Sequence, residues 1–218
     1  MNRQSVAAMV LGFILLLLRK LAIGSSRLAM GQRHKDGGMS LYGRTVSIVG
    51  LGNIDKELLG LLQPFGCRIL VSDLVYADMF WQQYQLQPGA KQTFLDEAYV
   101  VSLHVSLTPD TWYMINRETL ASMRPDAFLS NNSRGAVVDD DESALKGALQ
   151  TGVLAGAALD VYGGETPVDA ELLGLPNLFK TPQIGGDFSE AVFQMGEAAV
   201  NNLRSFFENR SNDSMQAG

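Results

Sequence analysis

Apolar and polar positions fall along this chain in blocks that read alternately as strand and helix. The first block, Val6–Leu18, is apolar for 13 consecutive residues and ends at Arg19-Lys20. That is shorter than the ~20 residues a spanning helix needs. It reads as a helix buried in an interface or between domains, with a targeting segment or a membrane span as alternatives. Gly and Ser punctuate residues 24–40, which read as a loop. From Leu41 the pattern changes. Thr45–Gly50 is a short β-branched run that predicts a strand, and Arg68–Asp73, Tyr99–His104, Ala127–Asn131, Leu154–Val161 and Leu178–Thr181 are short, largely apolar runs that predict further strands. Between them, Leu51–Pro64, residues 78–86, Asn116–Met123 and Asp141–Leu149 predict helices. Ser189–Arg210 predicts a long final helix, with Val192, Met195, Ala199, Leu203 and Phe206 at steps of three and four.

Strands alternating with helices imply a parallel sheet covered on both faces. Near-continuous apolar strands agree, because such strands are buried on both sides. The expected organisation is an entry helix and linker over 1–40 and a nucleotide-binding domain over 41–188. A C-terminal helix over 189–210 and a disordered tail over 211–218 follow.

Composition narrows the function classes. The 218 residues carry 17 Lys+Arg, 23 Asp+Glu, two His and one Cys. One cysteine excludes a disulfide scaffold, and so few Cys and His argue against a zinc site. The net charge of −6 disfavours nucleic acid as a partner. Charge is uneven: residues 1–35 hold six basic residues and no acid. A cytoplasmic location is expected, with N-terminal targeting as the alternative.

The strongest local signal is Gly50-Leu51-Gly52-Asn53-Ile54-Asp55, which follows a strand and opens a helix. Asp73 ends the next strand, 21 residues after Gly52. This is a dinucleotide fingerprint in its proper context, and it predicts a Rossmann-type, doubly wound α/β fold. Gly50 makes the tight turn. Gly52 lets the backbone approach a pyrophosphate, and the N–H groups of Asn53 and Ile54 at the helix start face its charge. Asp73 would accept from the adenosine ribose hydroxyls, which favours NAD over NADP. The third glycine is replaced by Asp55. Its side chain either pushes the helix away and opposes the pyrophosphate, or caps the helix and favours its dipole.

Further motifs stand in order: LYGRTV (41–46), Pro64-Phe65-Gly66, VVSLHVSLTPDTWYMIN (100–116), LSNNSRGAVVD (129–139), GAALDVYGGE (156–165) and TPQIGG (181–186). Together they resemble the NAD-binding domain of the D-isomer-specific 2-hydroxyacid dehydrogenases over about residues 5–208. The run SVAAMVLGFILLLLRK resembles the helix that enters this domain. The resemblance implies hydride transfer between NAD(H) and a 2-hydroxy or 2-oxo acid. It implies that Arg134 binds the substrate carboxylate, for which a guanidinium is suited. It makes Glu165 the acid that tunes the catalytic histidine, and Asp160 the holder of the nicotinamide carboxamide. Thr108 lies beside the cofactor. His104 matches a position near the cofactor and is not the proton donor. Taken alone, Arg134 and Glu165 also read as surface charges, and Asp160 and His104 as structural residues.

The chain departs from the family pattern where the chemistry is most demanding. The proton-donating histidine of T-P-H-x-G is Gln183 here. An amide hydrogen-bonds a carbonyl but does not titrate near neutral pH, and losing a general acid costs roughly 10²–10⁴-fold. The family's Glu-Pro is Glu165-Thr166-Pro167, its proline before the threonine segment is Ser106, and Tyr99 stands where an aspartate is usual. The expected organisation lacks the family's N-terminal substrate domain ahead of the entry helix. The expectation is therefore an impaired enzyme. A non-catalytic NAD(H)-binding or dimerising module and a truncated relic are the alternatives. An apolar entry helix left outside a dimer would form an exposed patch, so a homodimer is also expected.

Overall fold

The computed structural model describes residues 3–35, 37–72, 82, 84, 86–88, 93–138, 143–163, 169–186, 193, 196–197 and 199–205. The described elements are α1 (Arg3–Leu18), α2 (Leu21–Ala29), β1 (Thr45–Val49), α3 (Asn53–Leu62), β2 (Arg68–Ser72), β3 (Gln87–Pro88) and α4 (Thr93–Asp96). They continue with β4 (Val100–Leu103), α5 (Arg117–Ala121), β5 (Phe128–Asn131), α6 (Ser143–Thr151), β6 (Gly156–Leu159), α7 (Ala170–Leu173) and β7 (Leu178–Lys180). The strands form one sheet in the order β3-β2-β1-β4-β5-β6-β7, every pair parallel. This is the doubly wound α/β fold. Its strand order reverses between β1 and β4, and that crevice is where such sheets bind ligands.

The two faces of the sheet are built by alternation. Val100, Phe128 and Ala158 join one core with Ala7, Val10, Ile14 and Leu18 of α1 and Leu58, Leu59 and Leu62 of α3. Val101, Leu129, Ala157 and Leu159 join the other with Leu120 of α5 and Leu145, Ala148 and Leu149 of α6. Ser47 lies inside with no exposure, and its hydroxyl donates to Phe94 O at 2.7 Å. That bond removes the cost of burying it.

The apolar first helix is thus a core element of its own domain. Its buried residues form a stripe at helical spacing, and Phe13 meets Phe179 of β7 edge-on at 5.4 Å. α1 therefore does not form the exposed apolar patch from which a dimer was expected. Lys20, in the left-handed region at φ 52°, ends α1, and α2 leaves at 62° to it. No single described helix is long and apolar enough to cross a membrane. The expected loop over 24–40 is corrected at its start, since Gly24-Ser25-Ser26 lie inside α2. One glycine costs a helix about 1 kcal/mol and does not forbid it. The predicted helix over 78–86 and the start of Ser189–Arg210 fall largely outside the described residues. Residues 199–205 are helical.

Candidate functional site

Every strand delivers its functional loop to the same edge of the sheet, because all strands are parallel. After β1, Gly50 adopts φ 95°, and a Cβ there would stand 2.9 Å from His104 O. Only glycine fits that turn. Gly52 is different. It is the N-cap of α3 with φ −90°, and an added Cβ would meet only Asp55 Oδ2, at 3.4 Å. The open space beyond it is what close approach of a pyrophosphate requires. The first N–H groups of α3, at Asn53 and Ile54, have no acceptor within the helix and carry the positive end of its dipole. Glycine turn, open approach and helix start together fit a dinucleotide's pyrophosphate.

Asp55, the residue in place of the third glycine, is 1% exposed. Its Oδ2 accepts from Gly52 N–H at 2.7 Å, closing the first turn of α3. Its Oδ1 lies 3.1 Å from His104 Nδ1. His104 Nε2 in turn lies 2.8 Å from Ser102 Oγ. Burial pushes the His104 imidazole down to about 4, so it is neutral at pH 7. Of the two sequence readings of Asp55, the capping one matches the geometry.

After β5, Asn131 organises the turn that presents Arg134. Asn131 is 1% exposed. Its Oδ1 accepts from Ser133 N–H at 3.1 Å and from Ser133 Oγ at 2.8 Å, and its Nδ2 donates to Arg134 O at 3.0 Å. The Arg134 side chain is exposed, with Nη1 donating to Ser133 O at 2.7 Å. Gly135 is required, since a Cβ there would lie 1.9 Å from Tyr162 C.

Asp160, at the end of β6, is 3% exposed and ties the loop after β7 to the sheet. Its Oδ1 accepts from Thr181 Oγ1 at 2.5 Å and Ile184 N–H at 2.9 Å, and its Oδ2 from Gly185 N–H at 2.9 Å. Gln183 sits inside that clamped loop, exposed, with φ 57°. Asp160 N–H donates to Asn131 O at 3.0 Å. One hydrogen-bonded chain therefore links Arg134, Asn131, Asp160 and the Gln183 loop. Thr108 is exposed in a turn after β4, its N–H donating to Thr111 Oγ1 at 2.8 Å. Asp73 and Glu165 lie outside the described residues. Sequence reading passed over Asn131, although an Asn two residues before a Ser-Arg-Gly turn is a common side-chain acceptor for such turns. It also missed the Asp55–His104 pairing, which joins residues 49 positions apart and shows only in the fold.

Comparison with known proteins bears on this geometry. A family model described as the D-isomer specific 2-hydroxyacid dehydrogenase, NAD binding domain, matches residues 11–185. A glyoxylate reductase from Korarchaeum cryptofilum is 39% identical over 170 residues, 78% of this chain and 51% of that protein. A D-3-phosphoglycerate dehydrogenase from Bacillus subtilis is 36% identical over 154 residues, 71% of this chain and 29% of that protein. The D-lactate dehydrogenase of Aquifex aeolicus, solved with NAD and lactic acid, superposes with a TM-score of 0.86. It is 27% identical and covers 95% of this chain and 67% of its own. The chain thus spans about half the length of the first of these relatives and under a third of the second.

Proposed function

Because this chain belongs to the D-isomer specific 2-hydroxyacid dehydrogenase family, as its NAD binding domain, we propose that it binds NAD(H) at the β1–α3 loop and serves hydride transfer to or from a small 2-hydroxy or 2-oxo acid, with impaired turnover. The observation that carries the reading is the glycine turn at Gly50 and Gly52, opening α3 at the switch point of the sheet. When bound, the nicotinamide supplies the hydride. The chain's own residues supply the rest. Asn53 and Ile54 N–H groups bind the pyrophosphate, and Asp73 binds the adenosine ribose. Asp160 fixes the loop beside the nicotinamide carboxamide, and Thr108 borders the cofactor. Arg134 orients the carboxylate and polarises the carbonyl of the acid. Glu165 belongs beside the proton-donating position. Gln183 at that position hydrogen-bonds the carbonyl oxygen but holds no proton to deliver at neutral pH. The test is titration of the purified chain with NADH, followed by an assay of NADH oxidation with glyoxylate. Saturable binding with slow turnover is expected, and turnover at the rate typical of dehydrogenases overturns the impairment.

We further propose a homodimer. α2 buries none of its residues, and Leu21, Leu28 and the following Met30 are 56%, 65% and 66% exposed. Apolar exposure of that density favours a covering partner, and a second copy is the simplest. Sedimentation velocity tests it: a dimer at micromolar chain is expected, and a monomer throughout contradicts it. A cytoplasmic location is proposed on the ground that α1, the one segment apolar enough to read as a signal, is committed to the domain core. Fractionation of cells expressing the tagged chain tests this.

A further inference from the structure

Ser102, His104 and Asp55 stand in the order of a nucleophile, base and acid. Ser102 Oγ to His104 Nε2 is 2.8 Å, and His104 Nδ1 to Asp55 Oδ1 is 3.1 Å. Hydrolytic chemistry does not follow, because Ser102 is fully buried within β4 and no substrate reaches its hydroxyl. What the row touches instead is the phosphate loop. Asp55 Oδ2 holds Gly52 N–H at 2.7 Å, Gly50 packs its Cα against the His104 carbonyl, and His104 N–H donates to Val49 O at 2.8 Å. The row therefore ties the end of β4 to both glycines and to the first turn of α3.

We propose that Ser102, His104 and Asp55 form a buried relay that does the work of the missing third glycine, which makes Asp55 a positioning residue for NAD rather than an obstacle to it. The inference rests on the NAD(H) site proposed above. In the usual loop the third glycine lets helix and strand pack closely. Here a carboxylate fills that place, with its Oδ2 on Gly52 N–H and its Oδ1 3.1 Å from His104 Nδ1. A neutral imidazole with its proton on Nδ1 donates to Asp55 Oδ1, while the Ser102 hydroxyl donates to Nε2. That tautomer gives Oδ1 a donor, as a buried carboxylate oxygen needs. The negative charge is spent on Gly52 N–H, the ring Nδ1–H of His104 and the helix start. Asn53 and Ile54 N–H remain available to the pyrophosphate.

The test uses the full chain and two substitutions. Asp55→Gly restores the fingerprint glycine but cuts the relay. Asp55→Asn keeps its shape: the amide oxygen accepts from Gly52 N–H, and the amide NH₂ donates to Nδ1 once His104 moves its proton to Nε2. NADH affinity is measured by fluorescence titration, with folding checked by circular dichroism. The His104 tautomer is read from ¹⁵N ring shifts of the cofactor-free chain. We expect Asp55→Gly to weaken NADH binding about tenfold, the scale of one lost cap. We expect Asp55→Asn to bind within about threefold of the parent chain and to show the ring proton transferred from Nδ1 to Nε2. Binding to Asp55→Gly as tight as to the parent, or tighter, overturns the inference. An unchanged tautomer in Asp55→Asn overturns it as well. If neither the parent nor Asp55→Gly binds NADH, the NAD(H) reading itself fails and the positioning role falls with it.

Discussion

Gln183 holds a left-handed backbone, φ 57°, in a loop whose flanks are pinned by the Asp160 carboxylate. For a residue with a Cβ that conformation costs about 1 kcal/mol. Gln183→Gly is therefore expected to raise the unfolding free energy by about 0.5–1 kcal/mol in urea titrations. Histidine tolerates this region better than most residues. Gln183→His should keep the loop and, by restoring a group that titrates near neutral pH, raise NADH oxidation with a 2-oxo acid by about 10²-fold. An unchanged rate in a folded variant would show that proton delivery at this position does not limit turnover. Asp160 is the more fragile residue. Asp160→Ala leaves the Thr181 hydroxyl and two backbone N–H groups without their acceptor, one of them on buried Gly185. A loss of about 3 kcal/mol is expected in the same unfolding assay, and a loss under about 1 kcal/mol would mean that water replaces the carboxylate.

Elements differ in how much of them the sequence carries. The strands at Thr45 and Arg68 were legible because short apolar runs bounded by glycine, Gly50 after the first and Gly66 before the second, have few other uses. The strand β3 and the helices α4 and α7 were not, since two to four residues carry no period to read. The helix α2 was hidden by Gly24-Ser25-Ser26, although Leu21, Ala22, Leu28 and Ala29 around them are good helix formers. The same limit applies at the site. The glycine turn, Arg134 and Asp160 belong to contiguous motifs. Asn131 stands in the same motif as Arg134 and holds its turn by bonds spanning two or three residues, whereas the Asp55–His104 pair is set by how α3 and β4 come together. The α3–β4 junction also makes a pH prediction. Burial holds native His104 near 4 against about 6.5 in an unfolded chain. Between those values the unfolded chain takes up a proton that the native one refuses. The stability this burial permits is therefore complete above about 6.5 and drains as pH falls toward about 4. Between pH 7 and pH 5 the loss should be about 2 kcal/mol. Urea unfolding at both values checks it, with His104→Asn expected to flatten the dependence.

At the scale of the whole molecule, the parallel sheet is what assembles the site. Seven strands pointing one way bring the Gly50, His104, Arg134, Asp160 and Gln183 loops to one edge. The apolar α1 covers one face beside α3 and extends to that edge, where Met9 lies against Gly185, a Cβ on which would stand 3.2 Å from its methyl carbon. Family membership rests on a match over residues 11–185, and the dinucleotide site falls wholly inside it. The central claim is that this scaffold binds NAD(H) even though Asp55 occupies the third glycine position. The most direct measurement is an NADH titration of the purified chain, following energy transfer from Trp81 and Trp112 to the nicotinamide. Saturable binding at micromolar to sub-millimolar NADH is the predicted result. A chain that is folded by circular dichroism and shows no binding at millimolar NADH would contradict the account.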